Sequence, residues 1–259
     1  MLMLVASAVL ASGCSCESLR LRHALSEVPE IPYVVEEPGE LELERTLRSG
    51  PDMLRRDVVE HFETRSAGAH QLALVRQESP SGTADVHVVY DAHGLPIRVW
   101  RRFTTPSSDD PVGRVDLRVY ALGGDEVRLA RLNPDGSREG AGIPGPRPRV
   151  VIGPGRGLLS VWIQRAHLEV GGRLRESALD VTEPLAVLRD VTLIRHEGRE
   201  VEGLGLVRVY TIYGREPVFT DEDDVIVGDL LGLREASTVA GPLPDPMPDP
   251  GPFDPRILP

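Results

Sequence analysis

What most limits the folds open to this chain is the period of its apolar residues between Gln71 and Leu132. Three stretches there, Gln71-Leu-Ala-Leu-Val-Arg76, Val86-His-Val-Val-Tyr90 and Leu95-Pro-Ile-Arg-Val-Trp-Arg-Arg-Phe103, are rich in β-branched and aromatic side chains. Arg114 to Leu122 alternates, with Val115, Leu117, Val119 and Ala121 on one side, and Glu126 to Leu132 follows it. A period of two sends successive side chains to opposite faces of a strand, which no helix accommodates. Turn chemistry separates the runs: Asp91-Ala-His-Gly94 places Gly where a hairpin needs positive φ, Gly123-Gly124 turns the next pair, and Asn133-Pro-Asp-Gly136 ends the series. The expectation is a meander of antiparallel strands with one buried face.

Further strands are expected at Arg149 to Ile152, Leu174 to Val181, Leu185 to His196, Gly203 to Tyr213, Glu216 to Thr220 and Val225 to Leu233. Two helices interrupt them. The first, near 52–65, opens at Pro51-Asp52-Met53 with Ser49 or Asp52 as N-cap, carries Met53, Leu54, Val58, Val59 and Phe62 at helical spacing, and stops by Gly68. The second, 158–170, has a stripe of Leu158, Leu159, Trp162, Ile163, Ala166 and Val170 and ends at Gly171-Gly172. Between Gly140 and Gly157 the abundance of Gly and Pro predicts a crossing loop around the short strand at Arg149 to Ile152. Together these elements predict a mainly β protein: a curved antiparallel, half-barrel-like sheet with a helix packed in or against its concave face.

The N-terminus reads as an address. The apolar run from Met1 to Leu10 is too short for a bilayer, which needs about 20 residues, but fits the core of a secretory signal. Ala11-Ser12-Gly13-Cys14 resembles the lipobox of bacterial lipoproteins, departing from it in having Ala11 where Leu is commonest and no basic residue ahead of the apolar run. The resemblance implies removal of residues 1–13, diacylation of Cys14 with palmitate-like chains, and a cell-envelope location. Ser15 after the cysteine implies the outer membrane over the inner. Two acyl chains, at about 0.8 kcal/mol per buried CH₂, would hold the chain without help from its surface. Residues 14–40, with Pro29, Pro32 and Pro38, then form a tether; 41–236 form the globular domain; 237–259 form a disordered tail, proline-rich from Pro242. Cys14 and Cys16, the two cysteines, stand one residue apart, so no disulfide closes a loop in the body. In element order and length, the body is similar to the curved-sheet lipoprotein carriers of the Lol type, which implies an apolar groove for a lipid or a hydrophobic partner segment.

A formal net charge of −11 argues against an electrostatic nucleic-acid binder. Every basic side chain apart from histidine is arginine, the mark of a GC-rich coding sequence, so arginine-rich stretches carry little information by themselves. The residues weighed for chemistry are few. Leu158, Leu159, Trp162 and Ile163 are candidates to line or plug the groove. Asp221, Asp223 and Asp224, with Asp229 nearby, are the densest carboxylates and the one candidate cation site, although the spacing lacks the Gly and terminal Glu of a calcium loop. Seven histidines show no ligand spacing, so zinc is not expected; His87 and His93 meet only if one hairpin brings them together. Gly157-Leu-Leu-Ser160-Val fails the spacing of a nucleophile elbow. Gly153-Pro-Gly-Arg-Gly157 lacks the Lys-Ser/Thr of a phosphate loop, yet its N–H groups and Arg156 could hold an anion at the helix start. The reading is a lipid-anchored, non-enzymatic envelope protein without metal or cofactor, contacting the membrane through its anchor and binding a lipid or hydrophobic partner. The alternatives are an interaction domain with a solid core, or an envelope hydrolase built on Asp221, Asp223, His196 and Glu197.

Overall fold

The computed structural model describes residues 39–49, 57–107, 113–123, 125–132, 138–182, 186–212 and 216–239. The signal segment, Cys14, the tether before 39, the Asn133–Gly136 turn and the tail beyond 239 lie outside them.

Fifteen strands form one sheet. They are β1 (Glu40–Ser49), β2 (Val59–Ala67), β3 (His70–Ser79), β4 (Gly82–Tyr90), β5 (Pro96–Thr105), β6 (Arg114–Gly123), β7 (Glu126–Leu132) and β8 (Arg138–Pro144), then β9 (Val150–Ile152), α1 (Leu158–Ala166), which is the one α-helix among the described residues, β10 (Arg173–Asp180), β11 (Val187–Val201), β12 (Gly205–Ile212), β13 (Val218–Thr220), β14 (Ile226–Asp229) and β15 (Leu233–Glu235). The spatial order runs β8 down to β1, then β15 down to β9. Every pair is antiparallel except β9 with β10, and the seam between the halves is β1 against β15, with Leu47 opposite Glu235 and Ser49 opposite Leu233.

The sheet has to curl. Laid flat, 15 strands at about 4.8 Å spacing would hold the edge strands roughly 67 Å apart. The edges are β8 and β9, and the five residues between Pro144 and Val150 span at most about 20 Å. Twist accumulated over so many strands closes that distance and rolls the sheet around α1.

Helix α1 fills the inside of the roll. Leu159, Trp162 and Ile163 pack with Val150, Leu193, Tyr210 and Ile226 of the later strands. Leu158 and Val161 pack with Phe62, Val75, Val86 and Tyr120 of the earlier ones. Six successive residues, Leu158 to Ile163, are buried, so the start of the helix has no solvent face, and even Ser160 is used, its Oγ accepting the Ile226 N–H at 3.1 Å.

Several expectations are corrected. Residues 59–67 form strand β2, not the end of a helix over 52–65. Val58, Val59 and Phe62 suit either period, and partners on both sides, β1 and β3, decide in favour of the strand. Helix α1 ends at Ala166, not Val170: His167 takes the left-handed position at φ 43°, while Gly171 and Gly172 turn the chain into β10 and Val170 is exposed. The crossing loop expected from Gly140 begins as strand β8. The expected tail from 237 starts with one turn of 3-10 helix, Ala236–Thr238, and Arg48 Nη2 donates to the Val239 carbonyl. Strands β3 to β6 are buried on both faces rather than one: Leu72, Leu74, Val89 and Val119 are buried opposite the helix side. The near-continuous apolar runs at Leu72–Val75 and Val86–Tyr90 are the sequence form of that arrangement.

Candidate functional site

The most elaborated polar site of the fold is the seat of α1. The Gly153–Gly157 loop lies so close to β2 and β3 that side chains are excluded. A Cβ at Gly155 would stand 2.1 Å from Val75 Cγ1, and one at Gly157 2.3 Å from the Phe62 ring. This approach brings the free N–H groups of the helix start onto Glu60, whose Oε2 accepts from Arg156 N at 2.9 Å and whose Oε1 accepts from Gly157 N at 2.6 Å. Glu60 is completely buried. A carboxylate there satisfies orphan donors and meets the positive end of the helix dipole. The Arg156 side chain reaches the other way, its Nε donating to Asp229 Oδ2 at 3.3 Å and its Nη2 to Glu216 Oε2 at 2.8 Å. Asp229, also buried, accepts the Leu233 N–H at 3.0 Å. One helix start thus ties β2 to β14 across the inside of the roll. At the other end Arg165 donates to the carbonyls of Gly94 at 2.7 Å and Arg149 at 2.9 Å and pairs with Glu176, a cation where the dipole favours one.

The anion anticipated at Gly153–Gly157 and Arg156 is therefore a side chain of the protein. Glu60 occupies the N–H groups, and Asp229 and Glu216 occupy the guanidinium. Glu60 escaped the sequence reading because nothing local marks it, lying 96 positions before its partner, and Asp229 was noted only as a neighbour of the Asp221–Asp224 run.

The carboxylate run is a hairpin turn, built like Asp91-Ala-His-Gly94. Asp91 Oδ1 accepts the N–H of His93 at 2.9 Å and of Leu95 at 3.0 Å, with Gly94 at φ 68°. Asp221 Oδ1 accepts those of Asp223 at 3.0 Å and Val225 at 2.9 Å, with Asp224 at φ 62°. Aspartate tolerates both roles, which explains its recurrence here. Two further oxygens of the run are engaged: Asp221 Oδ2 pairs with Arg45 at 3.2 Å, and Asp224 Oδ1 accepts from the Tyr210 hydroxyl at 2.8 Å and pairs with Arg208 at 2.9 Å. Among the described residues no three His, Cys, Asp or Glu side chains are grouped to hold a metal ion.

The residues weighed for hydrolysis lie on different elements, His196 and Glu197 on β11 and Asp221 and Asp223 in the turn after β13. His196 Nε2 shares a hydrogen bond of 2.7 Å with Thr211 Oγ1, Glu197 is exposed on β11, and Asp221 is held in its turn facing Arg45. His87 and His93 do not meet: His93 sits on the turn, while His87 stacks on Trp100 with ring centroids 4.5 Å apart. Burial, with help from the Arg76 charge, lowers the His87 pKa to about 4. Leu158, Leu159, Trp162 and Ile163 are brought together, each between 0 and 2% exposed. No helix among the described residues is long and apolar enough to cross a membrane.

Fold and site together define a mainly β domain whose large, open and curved, almost wholly antiparallel sheet is rolled around helix α1. No family model matches the chain, and no curated protein matches it. Among solved structures it is similar to a DUF1089-family protein from Pseudomonas aeruginosa, at 14% identity and TM-score 0.45 over 70% of this chain and 92% of that one. It is also similar to a β-barrel-like protein of the domain of unknown function DUF1849 from Brucella abortus, at 12% identity and TM-score 0.40 over 71% and 80%.

Proposed function

We propose that the chain is a lipid-anchored, non-enzymatic protein of the bacterial cell envelope, tethered through acylated Cys14 to the outer rather than the inner membrane, and that its body is an interaction domain with a solid core. The observation that carries the second half is the placement of α1. Leu158, Leu159, Trp162 and Ile163 are the side chains that would have to line a lipid groove, and they are packed between the two halves of the sheet. Opening a groove would expose all four, at about 1.5–3 kcal/mol each, and would strip Glu60 of its two N–H donors. The anchor rests on Ala11-Ser12-Gly13-Cys14.

Mass spectrometry of the intact protein extracted from its native envelope tests both halves. The expected species starts at diacylated Cys14 and carries no stoichiometric lipid. A co-purifying lipid at one per chain would overturn the solid core in favour of a lipid-binding groove. An unmodified Cys14 would overturn the anchor.

A further inference from the structure

A second charged cluster lies on the inner face, along β5 to β7. The register sets Arg101 opposite Arg118 and Arg118 opposite Arg131, so three guanidinium groups stand in one cross-strand row. Like charges in that relation repel. One carboxylate answers all three: Asp116 Oδ2 lies 2.9 Å from Arg101 Nη1 and 2.9 Å from Arg118 Nε, and Oδ1 lies 3.1 Å from Arg131 Nε. Glu139, well exposed, stands 3.7 Å from Arg131 Nη1. Among the described residues the cluster keeps a surplus of positive charge, in a chain whose formal net charge is −11.

Two buried donors beside this row have no acceptor among the described residues. The Arg101 side chain is 2% exposed, one face of its guanidinium lies over the Phe103 ring at 5.5 Å, and its Nε makes no hydrogen bond. Tyr120 is fully buried on the same face, its hydroxyl feels the charges of Arg118, Arg101 and Asp116, and that hydroxyl too has no hydrogen-bond partner. Buried donors are almost always satisfied, so two orphans beside surplus positive charge indicate a missing acceptor of negative charge. Asp116 and Arg131, with side chains 21% and 41% exposed, form the mouth through which it would enter.

We propose that Arg101, Arg118, Arg131 and Tyr120 form a binding site for a phosphate group, with Asp116 as the internal counter-ion that yields to it. Guanidinium forks match tetrahedral oxyanions, and a phosphate brings enough oxygens to satisfy the Tyr120 hydroxyl and Arg101 Nε together. The same chemistry is offered by free phosphate, by a small phosphate ester or by a phospholipid headgroup.

Calorimetric titration of the full chain in detergent, with sodium phosphate, with glycerol 3-phosphate and with a short-chain phosphatidic acid, separates these sources. Sodium chloride at matched ionic strength and a short-chain phosphatidylcholine serve as controls. Saturable binding of any of the three phosphate compounds, weakened at least tenfold by Arg101→Gln and about three- to tenfold by Tyr120→Phe, is the expected result. Binding by phosphatidic acid alone assigns the site to a headgroup; binding by phosphate or glycerol 3-phosphate assigns it to a free anion. Asp116→Asn should tighten binding, because it removes the competing carboxylate. Tyr120→Phe keeps the test decisive if Arg101→Gln fails to fold, since it deletes only a hydroxyl without a partner. Absence of binding by all three compounds, or binding unchanged in Tyr120→Phe, overturns the site.

Discussion

The two charged clusters inside the roll contrast the same materials put to different ends. At the seat of α1 the surplus is negative, with Glu60, Asp229 and Glu216 around Arg156, and the fold answers it with backbone N–H groups and a helix dipole. Along β5 to β7 the surplus is positive, and the described residues offer Asp116 and the exposed Glu139 against three arginines. The difference teaches how to tell a buried charge that holds a fold from one that awaits a partner. The first has its donors and acceptors matched within the chain. The second keeps buried donors, Arg101 Nε and the Tyr120 hydroxyl, without acceptors among the described residues.

The largest effect should come from breaking the matched cluster. Glu60→Ala leaves the Arg156 and Gly157 N–H groups buried without the carboxylate they now share. A loss of about 2–6 kcal/mol is expected, about 1–3 for each of the two buried N–H donors left without an acceptor, measured by urea unfolding. If Glu60→Ala unfolds at the wild-type midpoint, the seat is not what fixes the helix, and the contrast with β5 to β7 collapses. Next is Gly157→Ala. Its Cβ would stand 2.3 Å from the Phe62 ring, and the forced shift should cost about 1–3 kcal/mol by the same assay. Gly171→Ala is its control: a Cβ there meets nothing within 4 Å, so only its positive φ of 82° opposes the change. Gly157→Ala should therefore be the more damaging of the two.

How much of this was readable beforehand divides along the same line. Strands β3 to β7 were legible because their signals are local, a period of two punctuated by turns such as Asp91–Gly94, and α1 was legible from Leu158, Leu159, Trp162 and Ile163. Strand β1 offered the alternation Glu40-Leu-Glu-Leu-Glu44, a usable signal that was overshadowed by the prolines before it. Strand β2 was not decidable locally, since Val58, Val59 and Phe62 fit two periods and only pairing with β1 and β3 chooses between them. Both clusters were illegible for a deeper reason. Glu60 and Arg156 are 96 positions apart, and Arg101, Arg118 and Arg131 become neighbours only once the register of β5 to β7 exists. In a chain whose basic residues outside histidine are all arginine, no one of them stands out.

Acid offers a check that leaves the arginines untouched. His87 lies on the face of β4 opposite Val86 and Val88, away from Arg101, and its pKa is lowered to about 4 from an ordinary 6.5. Because the folded ring resists protonation, the unfolded chain binds the extra proton between those values. Stability should therefore fall as pH drops from 6.5 towards 4, where the folded ring at last protonates. The ring is only part-buried, so solvent screening limits the loss to about 1–2 kcal/mol. His61, also lowered by burial, adds in the same direction. His87→Phe should flatten the profile in that window and leave phosphate binding near Arg101 unchanged. A profile of stability against pH that is identical in His87→Phe would remove His87 as its source.

The finest discrimination comes from two tyrosines that share everything but a partner. Tyr120 and Tyr210 are both fully buried, and burial raises the pKa of both hydroxyls. Tyr210 donates to Asp224 Oδ1 at 2.8 Å, and that oxygen also faces Arg208 at 2.9 Å. The Tyr120 hydroxyl has no acceptor among the described residues. Tyr210→Phe therefore loses a hydrogen bond to a charged acceptor, at about 1.5–3 kcal/mol, whereas Tyr120→Phe removes a desolvated group that gains nothing in return and should change stability by less than about 0.5 kcal/mol, or raise it. Thermal unfolding in phosphate-free buffer measures both. Added phosphate should then raise the melting temperature of the wild type more than that of Tyr120→Phe, because only the wild type offers the hydroxyl to the bound anion. If Tyr120→Phe loses as much stability as Tyr210→Phe without phosphate, the hydroxyl has an acceptor inside the protein, and the row along β5 to β7 is a closed network like the seat of α1.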